Sequence, residues 1–159
     1  MPVEKTVSKF TTIVIEDKEF QVRTFIVGDD REDKKTLVFT HGFVGSMVMY
    51  FAAMARLAQK YRLVMFDNCC KGLNTKLDTS EALQSSEAAE QWMLDFMVKT
   101  IDALDLPDKF LLAGHSYGGF LVSLYASQRP ERVESLFLIS PAFFEPFEPE
   151  SFDPTQFSA

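Results

Sequence analysis

The sequence predicts an α/β fold in which an N-terminal hairpin precedes a mostly parallel sheet with helices on both faces. Three observations support this fold class. Four short apolar runs are continuous rather than alternating, which is typical of strands buried on both faces of a sheet. Segments with apolar residues at helical spacing separate these runs. The connections are short, so the order β-α-β-α-β-α-β favours parallel strands joined by crossover helices.

The first 35 residues form the predicted hairpin and a charged loop. Residues 11–15 and 20–27 are rich in strand-forming side chains and flank a polar turn at residues 16–19. The run GDDREDKK, residues 28–35, predicts a solvated surface loop, with a docking patch as the alternative.

Residues 36–140 form the predicted parallel core. Its strands are TLVFT, YRLVMFD, KFLLAG and RVESLFLIS, and its helices cover residues 46–61, 85–105 and 117–128. The second helix has an acidic first turn, which suits the positive end of a helix dipole. Its inward stripe consists of Met93, Met97, Ile101 and Leu104, widened by Trp92 and Phe96. Residues 141–159 are rich in proline, acid and phenylalanine and show no clear period.

Composition excludes several classes of protein. A length of 159 residues suits one domain. A net charge of −7 gives no basic footprint for nucleic acid. The adjacent Cys69 and Cys70 lack the spacing of a disulfide framework or a zinc site and favour a reducing compartment. No signal peptide or membrane-spanning run is visible, so the sequence predicts a cytoplasmic protein. We expect it to use neither a metal nor a cofactor.

The stretch GHSYGG, residues 114–119, is the strongest functional signal. Gly114-x-Ser116-x-Gly118 follows the apolar run KFLLA and opens an apolar helix, which is the context of a nucleophile elbow. Small residues on either side of the serine let strand and helix approach closely while the turn exposes the hydroxyl. The helix N-terminus then points at a developing oxyanion. The alternative is a glycine-rich turn with an inert serine.

The residues His41-Gly42-Phe43 end the first buried strand. In folds with such an elbow, this loop offers one backbone N–H to the oxyanion hole, and the residue after the nucleophile offers the other. We therefore expect the amides of Phe43 and Tyr117 to form the hole. The alternative for Phe43 is an ordinary hydrophobic loop residue.

These features resemble the α/β-hydrolase superfamily over residues 37–142. The resemblance rests on HGF, on the strand ending in Asp67, and on GHSYGG followed by PERVESLFLISP. Residues 91–141 are most similar to the branch of lysophospholipases, N-acyl phospholipid hydrolases and lipase coactivators. This branch implies a small-molecule fatty-acyl lipid substrate and contact with lipid-droplet or membrane surfaces. Some members have asparagine in place of the nucleophile and are non-hydrolytic, whereas Ser116 favours catalysis.

Two loops depart from the pattern of this branch. After the second buried strand the branch reads aspartate, two residues, glycine, one residue, glycine, but here Cys70 replaces the first glycine. The branch also has a proposed acyltransferase pattern, histidine followed five residues later by aspartate. Ser46 and Phe120 occupy those positions after His41 and His115, so the pattern is absent.

The sequence has two histidines, His41 and His115, and neither follows Ser116. The superfamily's triad runs serine, acid, histidine along the chain, so we expect this chain to lack both the acid and the base. His115 is adjacent to the serine on a tight turn where side chains diverge. His41, with Gly42, Gly114, His115, Gly118 and Gly119, is expected to support the site. Residues 141–159 resemble the start of a cap, so residues 1–159 are predicted to be a partial hydrolase domain.

Two functions therefore stay open. The chain is either the N-terminal part of a serine hydrolase acting on a lipid ester or amide, or a non-catalytic hydrolase-fold protein that binds lipid or a lipase partner through its phenylalanine-rich tail. A gene-model fragment without a function of its own is a third interpretation. Serine is a weak nucleophile without an adjacent base, so these 159 residues alone are expected to turn over little substrate. The fourth strand is expected to be an exposed edge.

Overall fold

The computed structural model describes residues 6–28, 34–76 and 85–142. Short 3₁₀ turns cover Met47–Tyr50 and Pro130–Arg132. In chain order the other elements are β1 (Thr6–Ile15), β2 (Lys18–Val27), β3 (Thr36–Thr40), α1 (Phe51–Leu57), β4 (Arg62–Phe66), α2 (Ser86–Asp102), β5 (Phe110–His115), α3 (Tyr117–Gln128) and β6 (Val133–Ile139). The alternation of strands and helices predicted from the sequence is confirmed.

The strands form one mixed sheet in the order β1-β2-β4-β3-β5-β6. The pairs β1–β2 and β2–β4 are antiparallel, and the pairs β4–β3, β3–β5 and β5–β6 are parallel. Thr40 at the end of β3 lies opposite Gly114 of β5. The loops that follow these two strands therefore leave the sheet side by side, at the carboxyl edge where open α/β sheets bind their ligands.

The continuous apolar strands are buried on both faces because alternate side chains enter two different cores. Val38 of β3 packs in the core beneath α2 and α3, whereas Leu37 and Phe39 pack against α1. β4 divides in the same way, with Val64 and Phe66 on one face and Leu63 and Met65 on the other. This arrangement explains why β3 and β4 lack the polar alternation of half-exposed strands.

The N-terminal hairpin is longer than the sequence indicated, since β1 begins at Thr6. Its two-residue turn consists of Glu16 and Asp17, both with positive φ, at 48° and 61°. Positive φ at both central residues matches the twist of the strands that they connect. The predicted charged loop at residues 28–35 lies largely outside the described residues.

The first predicted helix is shorter than expected. The prediction was residues 46–61, whereas the chain forms a 3₁₀ turn at Met47–Tyr50 and then α1. The Met49 N–H bonds to the Ser46 carbonyl three residues back, and the Asp67 carboxylate accepts from the Met47 N–H. These bonds hold the first turn in the tighter form that is common at helix ends.

The second helix ends three residues earlier than predicted, at Asp102. Of its predicted stripe, Met97, Ile101 and Leu104 are buried and Met93 is half-buried. Trp92 and Phe96 are also buried, as predicted. The remaining predicted helix, α3, and the strand β3 have the predicted bounds.

The strand β6 is exposed along most of its length, as expected for an edge. Phe137 and Ile139 are 49 % and 47 % exposed. They border an apolar cavity of about 250 Å³ whose other walls include Leu37, Met54, Leu57 and Tyr61. The predicted start of a cap at residues 141–159 lies outside the described residues from residue 143 onward.

Candidate active site

Ser116 occupies the turn between β5 and α3 in a backbone conformation that L-residues rarely adopt. Its φ is 54° and its ψ is −122°, a combination that costs about 1–3 kcal/mol and clusters at active sites. The Ser116 N–H donates to the Ile139 carbonyl at 2.9 Å, and the Ser116 carbonyl accepts from the N–H groups of Phe120 and Ala142. These bonds hold the turn in its strained form.

The side chain of Ser116 is half-buried. Its Oγ has no hydrogen-bond partner in the part of the chain that the structure describes. Within those residues, no group competes for the proton or the lone pairs of this hydroxyl.

Gly114 and Gly118 bring β5, α3 and the end of β3 into backbone contact. A Cβ at Gly114 would collide with the carbonyl oxygen of Gly118 and lie 2.7 Å from the Gly119 nitrogen. A Cβ at Gly118 would collide with the carbonyl oxygen of His41 and lie 2.9 Å from that of Thr40. Because interior packing leaves no room to relax such contacts, only glycine fits at these two positions.

The loop after β3 lies against Ser116. A Cβ at Gly42 would lie 3.1 Å from the Cβ of Ser116. The Gly45 N–H donates to the Gly42 carbonyl at 3.1 Å and closes a turn with Phe43 as its second residue. The ring of Phe43 meets the ring of Tyr117 edge to face, with the centroids 5.7 Å apart. The structure thus brings Gly42, Phe43 and Tyr117 together around the serine.

His41 is fully buried and both of its ring nitrogens are engaged. Nδ1 lies 2.6 Å from the Gly42 carbonyl oxygen, and Nε2 accepts the backbone N–H of Asn68 at 3.0 Å. A carbonyl oxygen only accepts, so these partners assign the proton to Nδ1 and leave Nε2 as the acceptor. The imidazole therefore joins the loop after β3 to the loop after β4.

The pKa of His41 is lowered from its usual value of 6.5, first of all by burial. The hydrogen bond to Gly42 and the carboxylate of Asp67, whose Oδ1 lies 3.5 Å from Nε2, oppose that shift. Burial has the larger effect because the ring has lost all contact with water, which disfavours the charged form. His41 is therefore neutral at neutral pH.

His115 contacts Tyr50, the last residue of the 3₁₀ turn that precedes α1. Its Nδ1 lies 2.8 Å from the hydroxyl oxygen of Tyr50, and the two rings are 5.8 Å apart. Among the described residues, neither His115 nor His41 contacts the Oγ of Ser116 through a hydrogen bond.

The profile of the family described as "alpha/beta hydrolase fold" matches residues 35–158 of this sequence. This match covers β3 to β6 and every residue placed around Ser116. The chain belongs to the α/β-hydrolase family. The six-stranded mixed sheet with helices on both faces is the fold of that family.

Curated proteins with lipid-related names are similar to this chain. A 1-acylglycerol-3-phosphate O-acyltransferase of Arabidopsis thaliana is 33 % identical over 116 residues, which are 73 % of this chain and 27 % of that protein. A (lyso)-N-acylphosphatidylethanolamine lipase of Mus musculus is 30 % identical over 139 residues, 87 % of this chain and 39 % of that protein. The chain thus spans well under half of the length of these relatives.

Among solved structures, naproxen esterase from Bacillus subtilis has the same α/β-hydrolase fold. The TM-score is 0.72 at 23 % identity, over 92 % of this chain and 47 % of that one.

In residues 6–28, 34–76 and 85–142, no helix combines the length and the apolarity that crossing a bilayer requires.

Sequence reasoning missed the polar residues that support the site of this α/β-hydrolase. The Asn68 side chain accepts from the Thr40 hydroxyl and donates to the His41 carbonyl, both at 2.6 Å. The Asn74 side chain donates to the carbonyls of Asp67 and Asn68 at 2.8 and 2.9 Å. Their place in the sequence could have indicated this role, because Asp67 and Asn68 directly follow a buried parallel strand, at the edge of the sheet where binding sites form.

A series of contacts links Lys71 through the ring of Phe43 to the rings of Tyr117 and Phe120. The Lys71 ammonium is 4.6 Å from the centroid of the Phe43 ring, a cation–π contact. The rings of Tyr117 and Phe120 stack with their centroids 6.1 Å apart. Burial raises the pKa of Tyr117 to about 12, with a smaller contribution from the carboxylate of Glu90. The Tyr117 phenol therefore stays protonated and neutral at neutral pH.

Proposed function

We propose that this protein is a serine hydrolase acting on the carboxylic ester or amide of a fatty-acyl lipid, with Ser116 as its nucleophile. The observation that carries the proposal is the strained turn at Ser116, with φ of 54° and ψ of −122°. Among the described residues its hydroxyl has no hydrogen-bond partner, and its Cβ lies close to Gly42 at the carboxyl edge of the sheet.

In the proposed reaction, the Ser116 Oγ attacks the carbonyl carbon of the substrate. The backbone N–H groups of Phe43 and Tyr117 donate hydrogen bonds to the developing oxyanion and form the oxyanion hole. Donors fixed in this way are worth about 3–4 kcal/mol each in other serine hydrolases. The alcohol or amine leaves, and water then releases the acyl group from Ser116.

The proposal assigns the general base to a residue other than His41 and His115. The ring nitrogens of His41 are held by Gly42 and Asn68, and Nδ1 of His115 is held by Tyr50. Without a base, the serine hydroxyl is a weak nucleophile at neutral pH. Turnover by the whole protein therefore requires an acid and a base in addition to the residues described around Ser116.

Two features support an acyl lipid as the substrate. The names of the relatives refer to acylglycerol phosphate and N-acylphosphatidylethanolamine. The segment after β3 also exposes large apolar side chains at the carboxyl edge of the sheet, where an acyl chain or a lipid surface would approach. Phe43 is 55 % exposed, and Val44, Val48, Met49 and Phe51 are exposed further. Contact with a lipid-droplet or membrane surface is part of this proposal.

The test is labelling of the protein, as its cells make it, with a fluorophosphonate, followed by mapping of the modified peptide. Ser116→Ala should abolish labelling. Ser123→Ala is the matched control, because Ser123 lies in α3, the helix that follows Ser116, with its hydroxyl bonded to the Phe120 carbonyl at 2.7 Å. This control should label normally. Equal labelling of the Ser116→Ala variant and the unsubstituted protein would refute the assignment.

The second candidate function is non-catalytic binding of lipid or a lipase partner. It is favoured by the engagement of both histidines, which leaves Ser116 without a described base. An intact mass of 18.1 kDa for the native protein, together with an absence of labelling, would favour this alternative. Deletion of residues 143–159 should then abolish binding to lipid vesicles. A mass near twice that value or more, with labelling at Ser116, would favour the hydrolase.

A further inference from the structure

Cys69 and Cys70 form a close pair of thiols in the loop after β4. Their Sγ atoms lie 3.3 Å apart, and both cysteines are free. Cys69 is buried and Cys70 is half-buried. The function proposed above uses neither thiol. The sequence showed their adjacency but not the short distance between their sulfur atoms.

The turn that contains the two cysteines brings their side chains together. The Lys71 N–H donates to the Asn68 carbonyl at 3.1 Å, so Cys69 and Cys70 are the central residues of a β-turn. Cys70 has φ of 57°, and a positive φ at the third residue of a turn is normally adopted by glycine. The Lys76 ammonium also donates to the Cys70 carbonyl at 2.8 Å and holds the turn from its outer side.

We propose that Cys69 and Cys70 are a thiol-modification site, a vicinal dithiol that hydrogen peroxide converts reversibly into a disulfide between neighbouring residues. The two thiols have different accessibility, which gives them different roles. Half-buried Cys70 is open to the oxidant, and buried Cys69 stands next to it as the resolving thiol. Redox-sensing cysteines are often placed next to a resolving cysteine in this way.

The reaction balances in two steps. The Cys70 thiol loses its proton and its sulfur attacks one peroxide oxygen. The O–O bond breaks, the leaving hydroxide takes up that proton, and the products are a sulfenic acid on Cys70 and one molecule of water. The Cys69 thiol then attacks the sulfenic sulfur. The S–S bond forms and a second water leaves. Two thiols and one peroxide thus give one disulfide and two waters.

The resulting disulfide is expected to be easily reduced. Neighbouring Cα atoms across a trans peptide bond are about 3.8 Å apart, whereas most disulfides span Cα separations of roughly 4.4–6.8 Å. A disulfide outside that range is strained, and strained disulfides are the labile ones. The site is therefore suited to reversible modification rather than to permanent cross-linking.

Tryptic peptide mapping provides a direct test. Cleavage after Arg62 and Lys71 releases the nonapeptide LVMFDNCCK with both thiols in one fragment. After peroxide treatment of the folded protein, we expect this fragment to be lighter by two hydrogen atoms and to regain them with dithiothreitol. Recovery of the fragment unmodified, carrying sulfinic acid, or linked to another chain would overturn the proposal.

Two controls test the roles of the turn and of each cysteine. The free peptide LVMFDNCCK lacks the fold, so it should form the internal disulfide several-fold more slowly than the protein, and an equal rate would refute the role of the turn. In Cys69→Ser, peroxide should leave a sulfenic acid on Cys70 that dimedone traps. In Cys70→Ser, Cys69 should remain reduced, and trapping at Cys69 would reverse the assigned roles. Mapping of the unsubstituted protein remains decisive if either variant fails to fold.

Discussion

The Nε2 atom of His41 accepts a hydrogen bond of 3.0 Å from the backbone N–H of Asn68. The bond joins the loops that follow two neighbouring parallel strands, β3 and β4. The Asn68 side chain returns a second bond to the His41 carbonyl at 2.6 Å. This reciprocal pair fixes the loop that carries Phe43, and it requires an unprotonated Nε2.

We predict that the protein loses stability as the pH falls below about 6.5. Burial lowers the pKa of His41 in the folded protein, so below the unfolded pKa the unfolded chain binds a proton that the folded chain does not. The free energy of unfolding therefore decreases as the pH decreases in this range. The stabilising contribution of His41 is fully present at pH values above the pKa that His41 has in the unfolded chain. Urea unfolding between about pH 5.5 and pH 7.5 measures the slope.

The histidine variants separate this contribution from others. His41→Gln should be less stable at neutral pH, because a buried hydrogen-bond network is disturbed, and it should show a flatter slope. His115→Gln is the control and should retain the slope that belongs to His41. An unchanged slope in His41→Gln would contradict the prediction.

Gly118→Ala should destabilise the fold by about 2–3 kcal/mol, or prevent folding, because the added Cβ would collide with the His41 carbonyl. Thermal unfolding monitored by circular dichroism measures the loss. The control is Ser127→Ala, an exposed position on the same helix, where a change within about 0.5 kcal/mol is expected. Equal stability of the two variants would contradict the close contact between Gly118 of α3 and the chain at the end of β3.

Cys70→Gly should be more stable than Cys70→Ala by about 1 kcal/mol. Both changes remove the thiol, but only glycine adopts the φ of 57° at this position without a steric penalty. The difference between the two variants in urea unfolding isolates the backbone contribution. A more stable alanine variant would contradict the positive φ.

The 159-residue chain produced by itself should self-associate through β6, since this edge strand exposes Leu136, Phe137, Leu138 and Ile139 in succession. Leu138→Lys should raise the monomer fraction in sedimentation velocity, because a lysine on an edge strand opposes pairing with another chain. Ser127→Lys adds the same charge at an exposed position of α3, outside β6, and should leave the association unchanged. Equal effects of the two lysines would indicate a general effect of net charge.

In the whole protein, Lys71→Gln should lower kcat/KM for an anionic lysophospholipid about tenfold and leave kcat/KM for a neutral monoacylglycerol nearly unchanged. The Lys71 ammonium lies over the Phe43 ring, beside the proposed oxyanion hole, and a charge-assisted hydrogen bond contributes roughly 1.5–3 kcal/mol. Lys60→Gln, on the turn after α1, is the control. Equal losses for both substrates would show that Lys71 does not recognise the phosphate.

The sheet was predictable because burial leaves a strong pattern. In β3 and β4 every residue is buried, and the run of apolar residues shows this directly. The glycine spacing of the turn at Ser116 was predictable because the close contact of Gly118 with the His41 carbonyl admits only glycine. Local steric requirements of this kind restrict the residue types at a fixed spacing, so they can be read from one sequence.

The contacts that support the site could not be predicted in the same way. Tyr50 reaches His115 across 65 positions of sequence, and Asn68 reaches Thr40 across 28. A hydrogen bond between distant residues imposes no period on either segment. The first predicted helix was too long for a related reason, because the carboxylate of Asp67 from another loop holds its first turn through the Met47 N–H.

The order of the strands in the sheet has a consequence for how the protein folds. β3 and β5 are neighbours in the sheet, although α1, β4 and α2 lie between them in the chain. Contacts with high sequence separation form late, because loop-closure entropy must be overcome first. During synthesis, the His41–Asn68 connection can form as soon as β4 has emerged. The bonds that fix the loop after β3 therefore involve only residues that precede Ser116 in the chain.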